Sequence, residues 1–182
     1  MGKIVNSTFM TLDGDISNMQ AWHFEYWGDE AGRTAEGILG AADALIMGRL
    51  TYEGFAQAWP SRTGDDFADR MNAIPKYAVS TTLQDPTWNN TTVVNGDVVT
   101  EIRKLKDRTE GDIVQYGFGD VSRLMLANGL LDELKIWLHP VLSGQATQDE
   151  RLYRDMPQAK FTLADTDVHS TGIIVLTYVP TT

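Results

Sequence analysis

One stretch in the second half of the chain, residues 113–140, limits the possible folds more than any other. A short apolar run, Ile113–Tyr116, is typical of a buried strand, and it stops at the glycine turn Gly117–Gly119. The pair Asn128-Gly129 is suited to the left-handed residue that ends many helices. Between the two turns, apolar residues recur at helical spacing, at Val121, Leu124 and Met125. A strand, a glycine turn and a helix therefore follow one another here.

A second strand pattern begins a few residues later. Leu134, Ile136 and Leu138 occupy every second position, and Pro140 ends the alternation. A strand, a helix and a strand make a βαβ unit, which is almost always right-handed and packed on a parallel sheet. The free backbone N–H groups at the start of its helix can bind a phosphate. The glycine turn is therefore a candidate anion site as well as a fold signal.

The rest of the chain continues the alternation of strands and helices. Further strands are predicted over Lys3–Met10, Ala44–Met47, Tyr77–Ser80 and Thr91–Val94. Helices are predicted over Asp29–Leu39, Tyr52–Gln57, Phe67–Asn72 and Val98–Lys106. The chain then closes with the strands Phe161–Val168 and Ile173–Val179, joined by a turn at Ser170–Gly172. We therefore expect one α/β domain, residues 1–182, with a mostly parallel mixed β-sheet flanked by helices and an antiparallel C-terminal hairpin.

The composition excludes several kinds of function. The chain has no cysteine, so disulfides, cysteine nucleophiles and thiolate metal sites are absent. Its three histidines lack the paired spacing of metal sites, and His139 is best explained as a packed or capping histidine. A net charge of −10 argues against nucleic acid or an anionic membrane as a partner. Without an apolar run of roughly 20 residues or a signal-type N-terminus, a cytoplasmic protein is expected.

Three strand ends carry chemistry that suits a nucleotide. They are the turn Gly48–Thr51, the hydroxyl pair Ser80-Thr81 and the glycine turn Gly117–Gly119. In open α/β sheets, ligands bind beyond the carboxyl ends of the strands, so one dinucleotide could lie across all three. The alternative is that each is only a tight turn, although three of them together make this less favoured than one alone.

Four aromatic side chains lie within a few residues of one another, at Trp22, Phe24, Tyr26 and Trp27. Such a cluster most often belongs to the core, but it can also form a wall for a flat ligand, because aromatic faces stack on planar rings. If the segment is extended, alternation places Trp22, Phe24 and Tyr26 on one side, and His23 and Glu25 on the other. The sequence leaves both interpretations open.

Several motifs, taken in order, resemble a known family. Residues 45–52, LIMGRLTY, are similar to the strand–GR–T turn of dihydrofolate reductases. The resemblance is closer to the reductase domain of the bifunctional riboflavin-biosynthesis deaminase-reductases and to its stand-alone relatives. The further matching segments are Ser7–Gly14, Tyr52–Phe55, Met71–Tyr77, Gly129–Leu134 and His139-Pro140.

The resemblance implies an NADPH site. By position, Gly48–Thr51 matches the pyrophosphate turn, Arg49 matches the arginine near the adenosine 2′-phosphate, and Ser80 and Thr81 match the hydroxyls beside the ribose. The full implied cofactor set is Thr8, Phe9, Gly48, Arg49, Leu50, Thr51, Ser80, Thr81, Tyr116, Gly117, Phe118, Gly119, Asp120 and Val121. The residues implied on the substrate side are Asp13, in the mobile loop Leu12–Ile16, with Trp22, Phe24 and Tyr26.

The chain also departs from the family pattern. Asp120 and Ser122 stand where dihydrofolate reductases have a basic residue and a tyrosine. The basic residues that would bind a phosphoribosyl substrate cannot be identified in the sequence. The resemblance places the proton-donating carboxylate near Gly32, which leaves Asp29, Glu30 and Glu36 in range, with Asp29 and Glu36 as the candidate catalytic residues. Asp29 can instead be a helix N-terminal acid, and Glu36 a solvated surface charge.

Two classes of function follow. The first is an NADPH-dependent reductase that transfers a hydride to a flat heterocycle, either a riboflavin-pathway pyrimidine or a pterin. The second is a non-catalytic nucleotide-binding or regulatory protein that kept the fold. The resemblance also implies a homodimer, for which the terminal strands Phe161–Val168 and Ile173–Val179 offer an edge.

Overall fold

Eight strands form a single sheet within residues 1–154 and 156–181, which are the residues that the computed structural model describes. The strands are β1 (Ile4–Thr11), β2 (Ala42–Gly48), β3 (Lys76–Val79), β4 (Thr91–Val94), β5 (Asp112–Tyr116), β6 (Glu133–His139), β7 (Lys160–Val168) and β8 (Ile174–Thr181). The helices are α1 (Asp29–Gly40), α2 (Arg49–Ala58), α3 (Asp66–Ala73), α4 (Val98–Arg108) and α5 (Asp120–Ala127).

The strand order is β4-β3-β2-β5-β1-β6-β8-β7. The first six strands in this order are parallel, while β8 pairs antiparallel with β6 and with β7. The predicted fold, a mostly parallel mixed sheet with an antiparallel C-terminal hairpin, is therefore confirmed. Because β1 lies between β5 and β6, the βαβ unit of the sequence prediction spans β1, and their carboxyl ends meet at one edge.

Alternating side chains of the central strands pack into two hydrophobic cores, one on each face of the sheet. On one face Leu45 and Met47 pack with α1, α2 and α3, and on the other Ala44 and Ile46 pack with α4 and α5. This explains why β2 reads as a continuous apolar run, since a parallel strand covered on both faces has no solvent side. The helix α5 ends as predicted, with Gly129 in the left-handed region at φ +63°.

The structure differs from the predictions mainly at element ends. Helix α2 begins at Arg49 rather than Tyr52, so most of the predicted exit turn is the first turn of the helix. The segment around Trp22, for which the sequence leaves an extended conformation open, instead forms two short 3₁₀ turns, Met19–Ala21 and Phe24–Tyr26. No helix within the described part of the chain has the length and apolar character needed to cross a membrane.

Candidate functional site

Two glycine turns lie side by side at the carboxyl edge of the sheet. Gly48 precedes the first residue of α2, and Gly119 precedes the first residue of α5. A Cβ atom added to Gly48 would lie 3.5 Å from Cγ2 of Val121, in ordinary contact distance. The ends of two helices therefore face the same space, and their free N–H groups give that space a positive potential.

A buried polar network fixes the second turn. The Asn6 side chain donates to Gln115 Oε1 at 2.8 Å and to the Gly117 carbonyl at 2.7 Å. The Ser122 hydroxyl donates to Gln115 Oε1 at 2.8 Å and accepts from the Gly119 N–H at 3.1 Å. Ser122, which departs from the dihydrofolate reductase pattern, thus stabilises the turn from behind. In front of it, a Cβ added to Gly117 or Gly119 would meet no atom of the described residues within 4 Å.

Gly117 is a position where the residue type matters. Its φ of +78° lies in the left-handed region, which costs an L-residue roughly 1–2 kcal/mol. The open space in front of it means that a side chain there would project into the crevice rather than into the protein. A glycine at this position therefore keeps the crevice clear for a ligand that approaches the backbone closely.

Asp120 has an explanation that needs no ligand. It is the first residue of α5, and its side chain is 92% exposed. Arg123 donates to its carboxylate at 3.0 Å, and Arg154 lies 3.6 Å away. The acid therefore lies at the favourable end of the helix dipole and links α5 to the segment after β6.

Arg49 is paired within its own helix. Its Nη1 donates to both carboxylate oxygens of Glu53, at 2.8 and 3.0 Å, and both side chains are more than 40% exposed. An exposed i,i+4 pair of this kind contributes about 0.3–0.5 kcal/mol, so it holds the guanidinium only weakly. Leu50 is 75% exposed beside it, and Thr51 is half-buried.

The remaining residues of the predicted cofactor set are not equally free. The Ser80 hydroxyl accepts from the N–H groups of Thr82 and Leu83 at 3.1 and 2.9 Å, so it forms a turn, while Thr81 is exposed. Thr8 is buried and donates to Asn6 Oδ1 at 2.6 Å. Thr8 therefore belongs to the supporting network, and only its backbone can serve a ligand.

Tyr116 provides an independent sign of an unfilled contact. Its hydroxyl is buried and has no hydrogen-bond partner among the residues that the structure describes, and burial raises its pKa well above the usual range. Its ring packs against Phe55 of α2, with 5.9 Å between centroids, on the same side as the Gly48 turn. A buried hydroxyl without a partner is costly, so a ligand that pairs with Tyr116 would gain from it. The glycine turns and this hydroxyl together fit a nucleotide such as NADPH.

The substrate side is organised differently from the prediction. Backbone bonds from the N–H groups of Trp22 and His23 to the Met19 carbonyl, at 3.2 and 2.8 Å, coil the segment locally. The expected separation, with Trp22 and Phe24 on one side and His23 pointing away, is therefore wrong. Trp22 and His23 are both buried, whereas Phe24 is 63% exposed and Tyr26 is half-buried.

A histidine pair lies beneath this segment, and sequence reasoning missed it. His23 Nδ1 is 2.9 Å from His139 Nε2, and the His23 ring stacks on Phe9 with 4.1 Å between centroids. Burial, reinforced by the neighbouring His139, lowers the pKa of His23 to about 4, and burial also lowers the pKa of His139. The expectation that His139 is a packed histidine is confirmed, but its partner could not be read from the spacing.

The predicted mobile loop is fastened at Asp13. Its carboxylate accepts from the N–H groups of Ser143 and Gly144, both at 3.0 Å, and from Thr11 Oγ1 at 2.5 Å. These hydrogen bonds hold the pKa of Asp13 below its usual range. With further backbone bonds from Leu152 and Ile16, the loop and the segment after β6 form one surface.

Neither candidate acid is enclosed. Asp29 and Glu36 are both exposed, and they line an open groove on α1 together with Trp27 and Arg33. The other acid of the first turn, Glu30, accepts from the N–H and hydroxyl of Ser170, both at 2.6 Å. No carboxylate of α1 is therefore held in a desolvated position of the kind that tunes an acid for catalysis.

Comparison with known proteins places this geometry in a family. The RibD C-terminal domain matches residues 2–175. The chain belongs to the RibD C-terminal domain family. The uncharacterized protein YyaP of Bacillus subtilis (strain 168) is 26% identical over 146 residues, which are 78% of this chain and 76% of that protein.

Solved structures agree on the fold of this RibD C-terminal domain. A protein of Shewanella sp. PV-4 named for riboflavin biosynthesis has a TM-score of 0.75 at 20% identity, with all of both chains covered. The dihydrofolate reductase of Enterococcus faecalis, solved with NADP(H), has a TM-score of 0.63 at 15% identity, covering 100% of this chain and 98% of that one. The resemblance inferred from the motifs is confirmed, and family and fold together support a reductase-like role.

Proposed function

We propose that this protein is an NADPH-dependent reductase that transfers a hydride to a flat heterocycle. The observation that carries the proposal is the pair of glycine turns at adjacent strand ends, with open space in front of Gly117 and Gly119. The unpaired Tyr116 hydroxyl lies on the same edge. The nicotinamide, when bound, supplies the hydride, and the protein supplies binding and orientation.

Each part of the edge has a distinct task in this proposal. The backbone N–H groups at the starts of α2 and α5 bind the pyrophosphate, since both helix ends face the same space. Arg49 leaves its ion pair with Glu53 and binds the adenosine 2′-phosphate instead, which is possible because the exposed pair is weak. The Tyr116 hydroxyl pairs with the ligand in the crevice beside Phe55.

The substrate in this proposal is a neutral or only weakly anionic ring, a pyrimidine or a pterin. Phe24 and Trp27, 63% and 40% exposed, are the aromatic faces free to stack on it, whereas Trp22 is buried. The groove on α1 carries Asp29 and Glu36 against Arg33, a balance that does not favour a phosphate. A phosphoribosyl group would meet little positive charge on this side.

Two matched glycine variants test the cofactor site. Gly117 and Gly129 both have left-handed φ values, +78° and +63°, and both have no atom within 4 Å of an added Cβ. Gly117→Ala and Gly129→Ala should therefore lose similar stability, about 1 kcal/mol each. Only Gly117→Ala should weaken NADPH binding, measured by the fluorescence of the bound nicotinamide. Equal NADPH affinities in the two variants would refute this cofactor site.

A second candidate, a nucleotide-binding protein without catalysis, is favoured by the exposure of Asp29 and Glu36. An acid in open solvent protonates a bound ring poorly, because it is not tuned to the task. Turnover settles the choice: NADPH oxidation with any pyrimidine or pterin of a screen establishes the reductase. NADPH binding without oxidation across that screen would favour the non-catalytic protein.

A further inference from the structure

The hydrogen bonds of His139 fix the tautomers of the buried histidine pair. His139 Nδ1 lies 2.8 Å from the Trp137 carbonyl oxygen, which can only accept, so Nδ1 carries the hydrogen. Neutral His139 therefore presents a lone pair at Nε2. His23 Nδ1, 2.9 Å away, must donate to that lone pair. It follows that neutral His23 carries its hydrogen on Nδ1 and a lone pair on Nε2.

His23 Nε2 is the one ring nitrogen of the pair that remains available. It has no hydrogen-bond partner among the described residues, and it is not among the fully buried unpaired atoms. The rest of the ring is enclosed, since His23 is only 3% exposed and stacks on Phe9. Phe24 and Trp27, the two exposed aromatic side chains, flank it at centroid distances of 5.3 and 4.9 Å.

We propose that His23 Nε2 is a fixed hydrogen-bond acceptor that selects an N–H group on a planar ligand stacked against Phe24 and Trp27. His139 is then a positioning residue, because it acts on the ligand only through the tautomer of His23. This inference rests on the proposed function and narrows its substrate to planar heterocycles that present a ring N–H donor to His23 Nε2. It differs from a general preference for flat rings in that it depends on one hydrogen atom.

The physical basis is the cost of a mismatch. A hydroxyl or imidazole can usually rotate or change tautomer to suit either a donor or an acceptor. Here the bond to His139 removes that freedom, so a ligand with a methyl group or a lone pair at this position leaves Nε2 without a partner. Discrimination of about 5-fold to 150-fold against such a ligand is expected, since leaving a polar group unpaired costs about 1–3 kcal/mol.

Lumazine and its N-methylated form, 1,3-dimethyllumazine (called dimethyllumazine below), make a suitable pair of probes. Lumazine is a planar lactam with N–H groups, and in dimethyllumazine methyl groups replace both lactam hydrogens. Binding is followed by probe fluorescence, with and without NADP⁺, in the wild-type protein and in His23→Asn. An Asn side chain can still donate to His139 Nε2 from near the former Nδ1, but it has no atom at Nε2. Thermal melting and NADPH binding establish that each variant is folded.

The wild-type protein is expected to bind lumazine at least about 5-fold more tightly than dimethyllumazine, and His23→Asn should lose that preference. His139→Gln keeps an acceptor for His23 Nδ1 and should retain the preference for lumazine. The shorter side chain of His139→Asn cannot reach His23 Nδ1, so this variant should lose part of that preference. A merely structural His139 would not distinguish these two variants. Equal binding of both probes by the wild-type protein, or binding of neither, would overturn the inference. Absence of NADPH binding would count against the proposed cofactor and leave the lumazine comparison to decide this inference alone.

Discussion

Acid should destabilise this protein through His23 before its carboxylates are extensively protonated. His23 is neutral when folded, because burial lowers its pKa from 6.5 to about 4. In the unfolded chain it takes up a proton near 6.5, so the unfolded state binds more protons between these values. The stabilisation is fully present above the unfolded pKa and is lost as the pH falls toward the folded one. At about pH 5 the loss amounts to roughly 2 kcal/mol.

His139 changes the stability with pH in the same direction as His23. The pKa of His139 is also lowered by burial, so it changes stability in the same direction. A proton on one ring disfavours a proton on the other, because two imidazoliums cannot share the 2.9 Å contact. The protein must therefore unfold before both histidines can be charged at the same time.

Urea unfolding at about pH 7.5 and about pH 5 measures the effect, with His23→Asn as the matched control. Asn keeps a donor to His139 and does not titrate, and every carboxylate is common to both proteins. The free energy of unfolding of the wild-type protein should fall by roughly 2 kcal/mol more than that of the variant. Parallel losses in the two proteins would refute the reasoning and would mean that His23 is not desolvated in solution.

Three further predictions concern a buried lysine, the cofactor's phosphate and the sheet edge. Lys76 is fully buried and donates to the carbonyls of Asn72, Ile74 and Asn89. Lys76→Met should therefore lower the free energy of urea unfolding by about 3 kcal/mol. The control variant Lys104→Met, at an exposed lysine, should change it little. Arg49→Ala should weaken NADPH binding by about 1.5–3 kcal/mol and NADH binding much less, and equal losses by calorimetry would contradict the assigned 2′-phosphate contact. We also propose a homodimer through the free edge of β7, and a monomer mass by light scattering at micromolar concentration would argue against it.

The elements that the sequence predicts well are those whose signals are local. Gly129 is predicted to take a left-handed backbone because few other residues tolerate it, and its φ is +63°. Gly117, predicted only as part of a glycine turn, is also left-handed, with φ +78°. The apolar run of β2 and the alternation of β6 follow directly from burial on two faces of one sheet. The aromatic segment does not follow alternation, because local backbone bonds to Met19 set the direction of its side chains. The spacing of Trp22 and Tyr26, four residues apart, was the available sign of a coiled segment.

The same contrast separates the two halves of the proposed site, because the cofactor half rests on local signals and the substrate half does not. The proposed cofactor edge is made by backbone N–H groups and glycines at strand ends, and each such end is encoded within a few consecutive residues. The substrate half depends on contacts between distant segments: His23 with His139 across 116 residues, and Asp13 with Ser143 across 130. No local pattern reports which tautomer His23 adopts, because the deciding atom is the Trp137 carbonyl behind its partner. In the proposed function, substrate specificity therefore depends on contacts between segments that are distant in the sequence.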